Sequence, residues 1–333
     1  PAQPAGMSAW NSPRWWGPEE IRRVLQFTDL IEPVSLALQQ ASAGEIASDL
    51  IVMFPGARPV DGDVYVKTGC QPGGPMHIVK VSPWFAANAA ADRPQGGFIA
   101  VLDSRTGYLL GLLDDQHYLS DIRTAAAGAL AARVLAPGQV ESATVLGAGT
   151  QAQLQALALF SERPFRVLRI WARDRSKAAG LAKRLEPQLP GVAIKVEPDL
   201  QAAVRAADVL LTTTAAREPL VRADWLHPGM HITAVGADDP TKAELDGSVL
   251  RAGSVFVDSI AAASQNGDVH RAVRCKQYTT DELAGELGDV LAGRRPGRSS
   301  EAQITIAKFV GIGAQDLVTA EVCVRRLQGS VRS

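Results

Sequence analysis

The feature that most constrains this chain is a glycine-rich turn set between an apolar strand and a helix. Ala143-Thr-Val-Leu146 runs into Gly147-Ala-Gly149-Thr-Gln-Ala152, and a helical stretch follows to Phe160. In such a G-x-G-x-x-A turn the first glycine allows a tight bend and the second lets backbone approach a pyrophosphate. The small third residue keeps helix and strand close. N–H groups at the helix start then face the phosphate anion. A second apolar run, residues 167–171, closes the pattern. The order predicts a dinucleotide-binding βαβ unit, with Gly147, Gly149, Thr150 and Gln151 among the cofactor contacts.

The alternation of short apolar runs with helical stretches continues through Leu200–Ala207, Val209–Thr212, His231–Val235 and Ser254–Asp258. A succession of this kind predicts a mostly parallel sheet covered by helices on both faces. Thr213 and Val235, at the ends of two of these runs, join the expected cofactor contacts. Cofactor choice is read after the second strand, in Trp171-Ala172-Arg173-Asp174-Arg175-Ser176-Lys177. Ala172 occupies the place where an acidic residue accepts the ribose hydroxyls of NAD(H). Arg173 and Arg175 are suited to a 2′-phosphate, which favours NADP(H). NAD(H) stays open, because a shift of one residue makes Asp174 the ribose carboxylate. Alternatively the two arginines only cover the sheet edge.

The first third reads differently. Residues 18–43 are helical in pattern, with a break or a new first turn at Pro33. Strand candidates follow at 63–67, 77–81, 97–102 and 108–112, the last two joined by the turn Asp103-Ser-Arg-Thr-Gly107. This is a mixed helix-and-sheet region with antiparallel pairing. A small-residue helix, Thr124–Leu135, leads into the parallel region, and a final helix at about 313–328 is expected to return to the first.

A chain of 333 residues is long enough for two cores, and 46% hydrophobic with 21% charged residues places it among globular proteins. A net charge of -1 without a basic cluster argues against nucleic acid. No apolar run approaches the roughly 18 residues of a membrane span. Cys70, Cys275 and Cys323 lie at no metal or redox-pair spacing, which fits a reducing cytoplasm. No His, Cys and acidic cluster suggests a metal. Pro1–Gly6, ahead of Met7, lacks the basic-then-apolar order of a signal peptide and is expected to lie outside the fold.

An ordered set of motifs resembles the ornithine cyclodeaminase/mu-crystallin family. It comprises His77-Ile-Val-Lys-Val81, Asp121-Ile-Arg-Thr-Ala-Ala126, Gly147-Ala-Gly-Thr-Gln151 and the run Val235-Gly-Ala-Asp-Asp-Pro-Thr-Lys-Ala-Glu-Leu245. Gly285-Glu-Leu-Gly288 and Gly313-Ala-Gln-Asp316 extend it. The resemblance implies an α/β protein with a Rossmann-type mostly parallel sheet domain over 126–312. A mixed α+β dimerisation and substrate domain would be built from 7–125 and 313–333, and the protein would be a homodimer. It further implies chemistry through an imino acid, with hydride exchanged at its α-carbon.

Residue by residue, Lys80 matches the family's substrate-facing lysine, able to pair with a carboxylate or pass a proton. Arg123 matches the arginine whose fork binds the α-carboxylate; a structural ion pair is the alternative. Asp238 matches the catalytic aspartate, with Asp239 an alternative reading of the same match. Thr124 stands beside the cofactor phosphate or is an ordinary N-cap. Asp316 is expected at the interdomain cleft as a cofactor contact, or as a simple helix residue. His77, beside the lysine strand, is either a substrate contact or a strand histidine. One departure is notable: residues 47–54 lack the further arginine that members often carry. Either Arg58 or Lys67 takes its role, or the substrate is gripped differently.

The reading that follows is NAD(P)H-dependent reduction of a small imino acid, a ketimine or iminodicarboxylate, reversibly an amino-acid dehydrogenase. The alternatives are redox-neutral cyclodeamination of ornithine and a non-catalytic, crystallin-like ligand-binding role.

Overall fold

The computed structural model describes residues 12–59, 61–91 and 93–329. The segment ahead of Met7 lies outside the described residues. Two sheets organise the chain. The second to form in sequence has eight parallel strands, β7 to β14: Ser142–Leu146, Val167–Trp171, Ala193–Val196, Val209–Thr212, His231–Ala234, Ser254–Val257, Gly285–Glu286 and Thr305–Lys308. Their spatial order is β13-β12-β14-β11-β10-β7-β8-β9. The inner strands β10, β11 and β14 are buried at every position, as expected where helices cover both faces. β14 escapes the sequence reading: it is four residues long and ends in Lys308, yet it sits between β11 and β12.

The first sheet has six strands: β1 Arg14–Trp16, β2 Leu50–Met53, β3 Gly62–Cys70, β4 Met76–Phe85, β5 Phe98–Asp103 and β6 Leu109–Leu113. β2 to β6 form an antiparallel meander, and β1 adds to β6 in parallel. One face buries Ile78, Ile99, Val101 and Leu113 against the helices Ile31–Ser42, Tyr118–Leu135 and Gly313–Gly329. Pro33 falls in the first turn of Ile31–Ser42, where its missing N–H costs nothing, and a 3-10 turn Phe27–Leu30 precedes it. The opposite face leaves Trp15, Ile51, Met53, Phe98 and Leu110 exposed.

The helix Tyr118–Leu135 joins both cores. Its alanines let it press against the helix Thr150–Glu162, and a Cβ on Gly128 would collide with the Gln155 side chain. The C-terminal helix returns to β3, where added Cβ atoms on Gly69 and Gly313 would strike the facing backbone. Through these two helices the six-stranded sheet is held against the parallel one. Among the described residues no helix is long and apolar enough to cross a membrane.

Candidate active site

In a strand, residues two apart share a face. Asp63, Tyr65 and Lys67 therefore line one side of β3, and Lys80 is the direct cross-strand partner of Lys67 on β4. All four side chains are buried. Lys80 donates to Asp316 Oδ1 at 2.7 Å, and Arg123 Nε donates to the same oxygen at 3.1 Å. Arg123 Nη1 also reaches Gln315 Oε1 at 3.1 Å. Lys67 Nζ has no hydrogen-bond or ion-pair partner among the described residues; it lies over the Tyr65 ring, 5.6 Å from the centroid. A Cβ on Gly311 would lie 2.7 Å from both terminal nitrogens of Arg123 and 2.9 Å from Lys67 Nζ. Arg123 and Lys67 thus converge on one small residue.

Two buried cations therefore share one carboxylate, with the third basic side chain, Lys67, close by. Burial would push the Asp316 carboxyl up, but Lys80, Arg123 and Lys67 outweigh it and hold the group well below the usual carboxylate range. Burial lowers the Lys80 ammonium, against the pull of Asp316. Lys67 is lowered to about 7, first by burial and then by the nearby Arg123.

Asp238 follows β11 and centres a second cluster. Its Oδ1 accepts from Lys242 Nζ at 2.8 Å and from the Tyr65 hydroxyl at 2.9 Å. Lys242 also meets Asp63 at 3.0 Å and Asp239 at 3.3 Å. Burial works against ionisation of Asp238, yet the Lys242 charge prevails and its carboxyl lies below the usual value. The Asp238 side chain keeps 34% exposure, whereas Asp239 is fully buried. Asp239 Oδ1 instead folds its own loop, accepting from the backbone of Thr241 and Lys242. Of the two readings of that match, Asp238 is the carboxylate open to a ligand.

The glycine turn has the form its chemistry needs. Gly147 has φ +126°, and a Cβ there would strike the Thr213 hydroxyl, which donates to the Leu146 carbonyl at 2.9 Å. A Cβ on Gly149 would meet nothing within 4 Å, and Thr150 is exposed. The first turn of the helix Thr150–Glu162 therefore offers backbone N–H groups to open space, as a pyrophosphate requires. Gln151 turns away, bonding Asp121 at 3.0 Å. Val235 continues the sheet, donating its N–H to the Thr212 carbonyl. Gly147, Thr213, Val235, Asp238 and Gly311 all follow the carboxyl ends of parallel strands in one sheet, the edge where ligands bind in open α/β folds.

Other expected residues lie elsewhere. His77 is three positions from Lys80, so it faces the opposite side of β4, where its ring meets Ser104 at 3.4 Å. Arg58 is exposed in the turn before β3, and of the two substitutes for the missing arginine Lys67 is the one beside Lys80. Thr124 is inside its helix, not an N-cap, and donates to the Ser120 carbonyl at 2.8 Å. Asp316, expected among the cofactor contacts, is the buried counter-ion of Lys80 and Arg123. Tyr65, Asp63 and Lys242 were not anticipated. Their only signals were the i, i+2 spacing with Lys67 and the i, i+4 spacing of Lys242 from Asp238.

A parallel dinucleotide-binding sheet joined to an antiparallel one, with buried cations beside the glycine edge, defines a class of two-domain proteins. The family model for the ornithine cyclodeaminase/mu-crystallin family matches residues 18–330, and the chain belongs to that family. An uncharacterized cyclodeaminase of Sinorhizobium fredii is 40% identical, covering 93% of this chain and 94% of its own. The alanine dehydrogenase of Archaeoglobus fulgidus is 34% identical over 74% of this chain and 77% of its own. Among solved structures, an archaeal alanine dehydrogenase dimer with bound NAD superposes at TM-score 0.87 and 26% identity, covering 96% and 97% of the two chains. The Δ1-pyrroline-2-carboxylate reductase of Thermococcus litoralis, with NADH and L-proline, gives 0.89 at 24% identity, covering 95% and 98%. The iminosuccinate reductase of Paracoccus denitrificans, with NAD+, gives 0.82 at 24% identity, covering 95% and 96%.

The expectation of NADP(H) is overturned by these structures, all three of which hold NAD(H). The loop after β8 gives the physical reason. Arg173 and Arg175 are both exposed, and the Asp174 carboxylate stands between them as the cap of the next helix, bonding Ser176 and Lys177 backbone N–H groups. An anion in that loop opposes a 2′-phosphate.

Proposed function

We propose that this chain is an NAD(H)-dependent oxidoreductase that reduces a small imino acid to the amino acid, and acts reversibly as an amino-acid dehydrogenase. The observation that carries the reading is the convergence of three buried basic side chains: Lys80 and Arg123 both bond Asp316, while Lys67 beside them has no hydrogen-bond or ion-pair partner among the described residues. Unbalanced buried charge is costly, and a substrate carboxylate relieves it. When bound, the nicotinamide supplies or accepts hydride at the substrate α-carbon. Arg123 and Lys67, converging over Gly311, hold the carboxylate, with Lys80 behind them. Asp238 faces the substrate nitrogen, stabilising an iminium charge in reduction or taking a proton from the amine in oxidation.

Two further points belong to this reading. The exposed apolar face with Trp15, Ile51, Met53, Phe98 and Leu110 is the surface on which a second copy would pair, giving a homodimer. The sparse, unpaired cysteines fit a cytoplasmic setting. Residues 126–312 would serve as the nucleotide domain, and the rest as the substrate and dimerisation domain.

The test is a screen of cyclic imines and of 2-oxo acids with ammonia or methylamine against NADH and NADPH, with ornithine and NAD+ run in parallel. Net loss of reduced-cofactor absorbance is the expected result. Ammonia release from ornithine without net cofactor change would replace the reading with cyclodeamination. Tight ligand binding without turnover across the panel would replace it with a non-catalytic role.

A further inference from the structure

We propose that Lys242 and Tyr65 form a clamp between the two sheets that aims the Asp238 carboxylate at the substrate, so that both act as positioning residues. The inference rests on the oxidoreductase reading for what Asp238 does, but the clamp itself stands on geometry.

One side of the clamp is built by the loop after β11. Asp239 Oδ1 accepts from the N–H groups of Thr241 at 2.5 Å and Lys242 at 2.9 Å, curling the chain so that Lys242 returns alongside Asp238. Beneath, buried Glu244 accepts from Gly236 N at 2.9 Å, Thr214 N at 2.6 Å and the Thr212 hydroxyl at 2.8 Å. Lys308 Nζ ties the Ala237 carbonyl at 2.5 Å. The loop backbone is thereby tied down at Gly236 and Ala237.

The other side comes from β3. Asp63 and Tyr65 project from one face of that strand, and the Lys242 ammonium sits among Asp63, Asp238, Asp239 and the Tyr65 oxygen, all within 3.3 Å. The tyrosine hydroxyl donates its proton to Asp238 Oδ1 at 2.9 Å; Asp63 Oδ2 is farther, at 3.4 Å. One ammonium therefore answers three carboxylates, two of which belong to the far sheet's loop. Burial and the neighbouring Asp238 and Asp239 push the Asp63 carboxyl up in spite of Lys242, which marks how much of the local balance this cation carries. Both lysines approach Tyr65, with Lys67 Nζ 5.6 Å and Lys242 Nζ 5.7 Å from its ring centroid. A single side chain thus touches both Lys67, assigned above to the substrate carboxylate, and Lys242, which holds Asp238.

The test compares Lys242→Met, Lys242→Arg and Tyr65→Phe with the full-length parent protein. The first readout is the pH titration of the Asp238 carboxyl by carbon NMR, assigned with Asp238→Asn, and it requires no turnover. Lys242→Met should raise the titration midpoint by about one pH unit or more, the effect of losing an opposite charge in contact. Tyr65→Phe should raise it less, and Lys242→Arg should restore most of it. The second readout is kinetic: Lys242→Met should lower kcat about tenfold or more and leave the carboxylate-substrate KM nearly unchanged. An unchanged Asp238 titration in folded Lys242→Met would overturn the clamp. So would a KM that rises in step with the loss of kcat. Should Lys242→Met not fold, an unshifted titration in Tyr65→Phe overturns the proposal equally. An inactive parent protein refutes the oxidoreductase reading, while the titration still decides the clamp.

Discussion

Lys67 and Lys80 face each other directly across the β3–β4 ladder, and both side chains point into the protein. Like charges opposite one another destabilise a sheet, and burial compounds the penalty. Lys80 meets it through Asp316; Lys67 meets it by giving up its proton near neutrality, at about 7.

That gives a pH dependence with a definite sign. A carboxylate ligand needs protonated Lys67, so kcat/KM for carboxylate substrates should fall as pH rises through about 7. Lys67→Arg keeps its charge and should remove this limb, as steady-state kinetics across pH would reveal. Folding stability runs the other way. From about pH 7 to the unfolded lysine value near 10.4, the unfolded chain binds more protons at this site, so the Lys67 contribution to stability rises with pH.

Arg123 uses Nε on Asp316 and Nη1 on Gln315 while turning its terminal nitrogens toward Gly311. Lysine keeps the charge but cannot make the same fork. Arg123→Lys should cost about 1.5–3 kcal/mol in kcat/KM, roughly a 10- to 150-fold loss, carried mainly by KM. Unaltered substrate kinetics would make its bonds to Asp316 and Gln315 purely structural.

Gly311 has φ +79°, and its N–H donates to buried Asp258 at 2.6 Å. Gly311→Ala should cost about 1–2 kcal/mol of stability through backbone strain alone. Its methyl would also displace Arg123 and Lys67, so substrate affinity should fall even where the protein remains folded. Thermal melts and substrate titration measure the two effects separately.

Asp174 combines a structural and an electrostatic role. Serine is also a good N-cap, so Asp174→Ser should keep the helix Arg175–Leu185 while removing the anion beside Arg173 and Arg175. The parent should prefer NADH over NADPH in kcat/KM, and the variant should narrow that preference by about tenfold. An unchanged cofactor ratio would show that the discrimination lies elsewhere in the loop.

Legibility tracked how local each feature is. The Gly147 turn is written in consecutive residues, because its φ and its close approach need glycine wherever the chain goes. The opposite placement of His77 and Lys80 is also legible, because residues three apart on one strand face opposite sides. The preference for NADP(H) failed for a related reason: Asp174, which had kept NAD(H) open, holds its carboxylate in that loop as a helix cap, and the charge count around Ala172 could not weigh it against the two arginines.

The sequence by itself determined the class of fold, the glycine edge and the identity of the charged candidates, since periodicity and turn chemistry act over a few residues. Only the tertiary structure decided which of those charges meet. Tyr65 and Asp238 are 173 residues apart and bond because β3 packs against a loop of the other sheet. Asp316 becomes the counter-ion of Lys80 and Arg123 because the last helix folds back onto the first sheet. Partnership between buried charges depends on distance through space and on exclusion of water, and neither quantity is set by position along the chain.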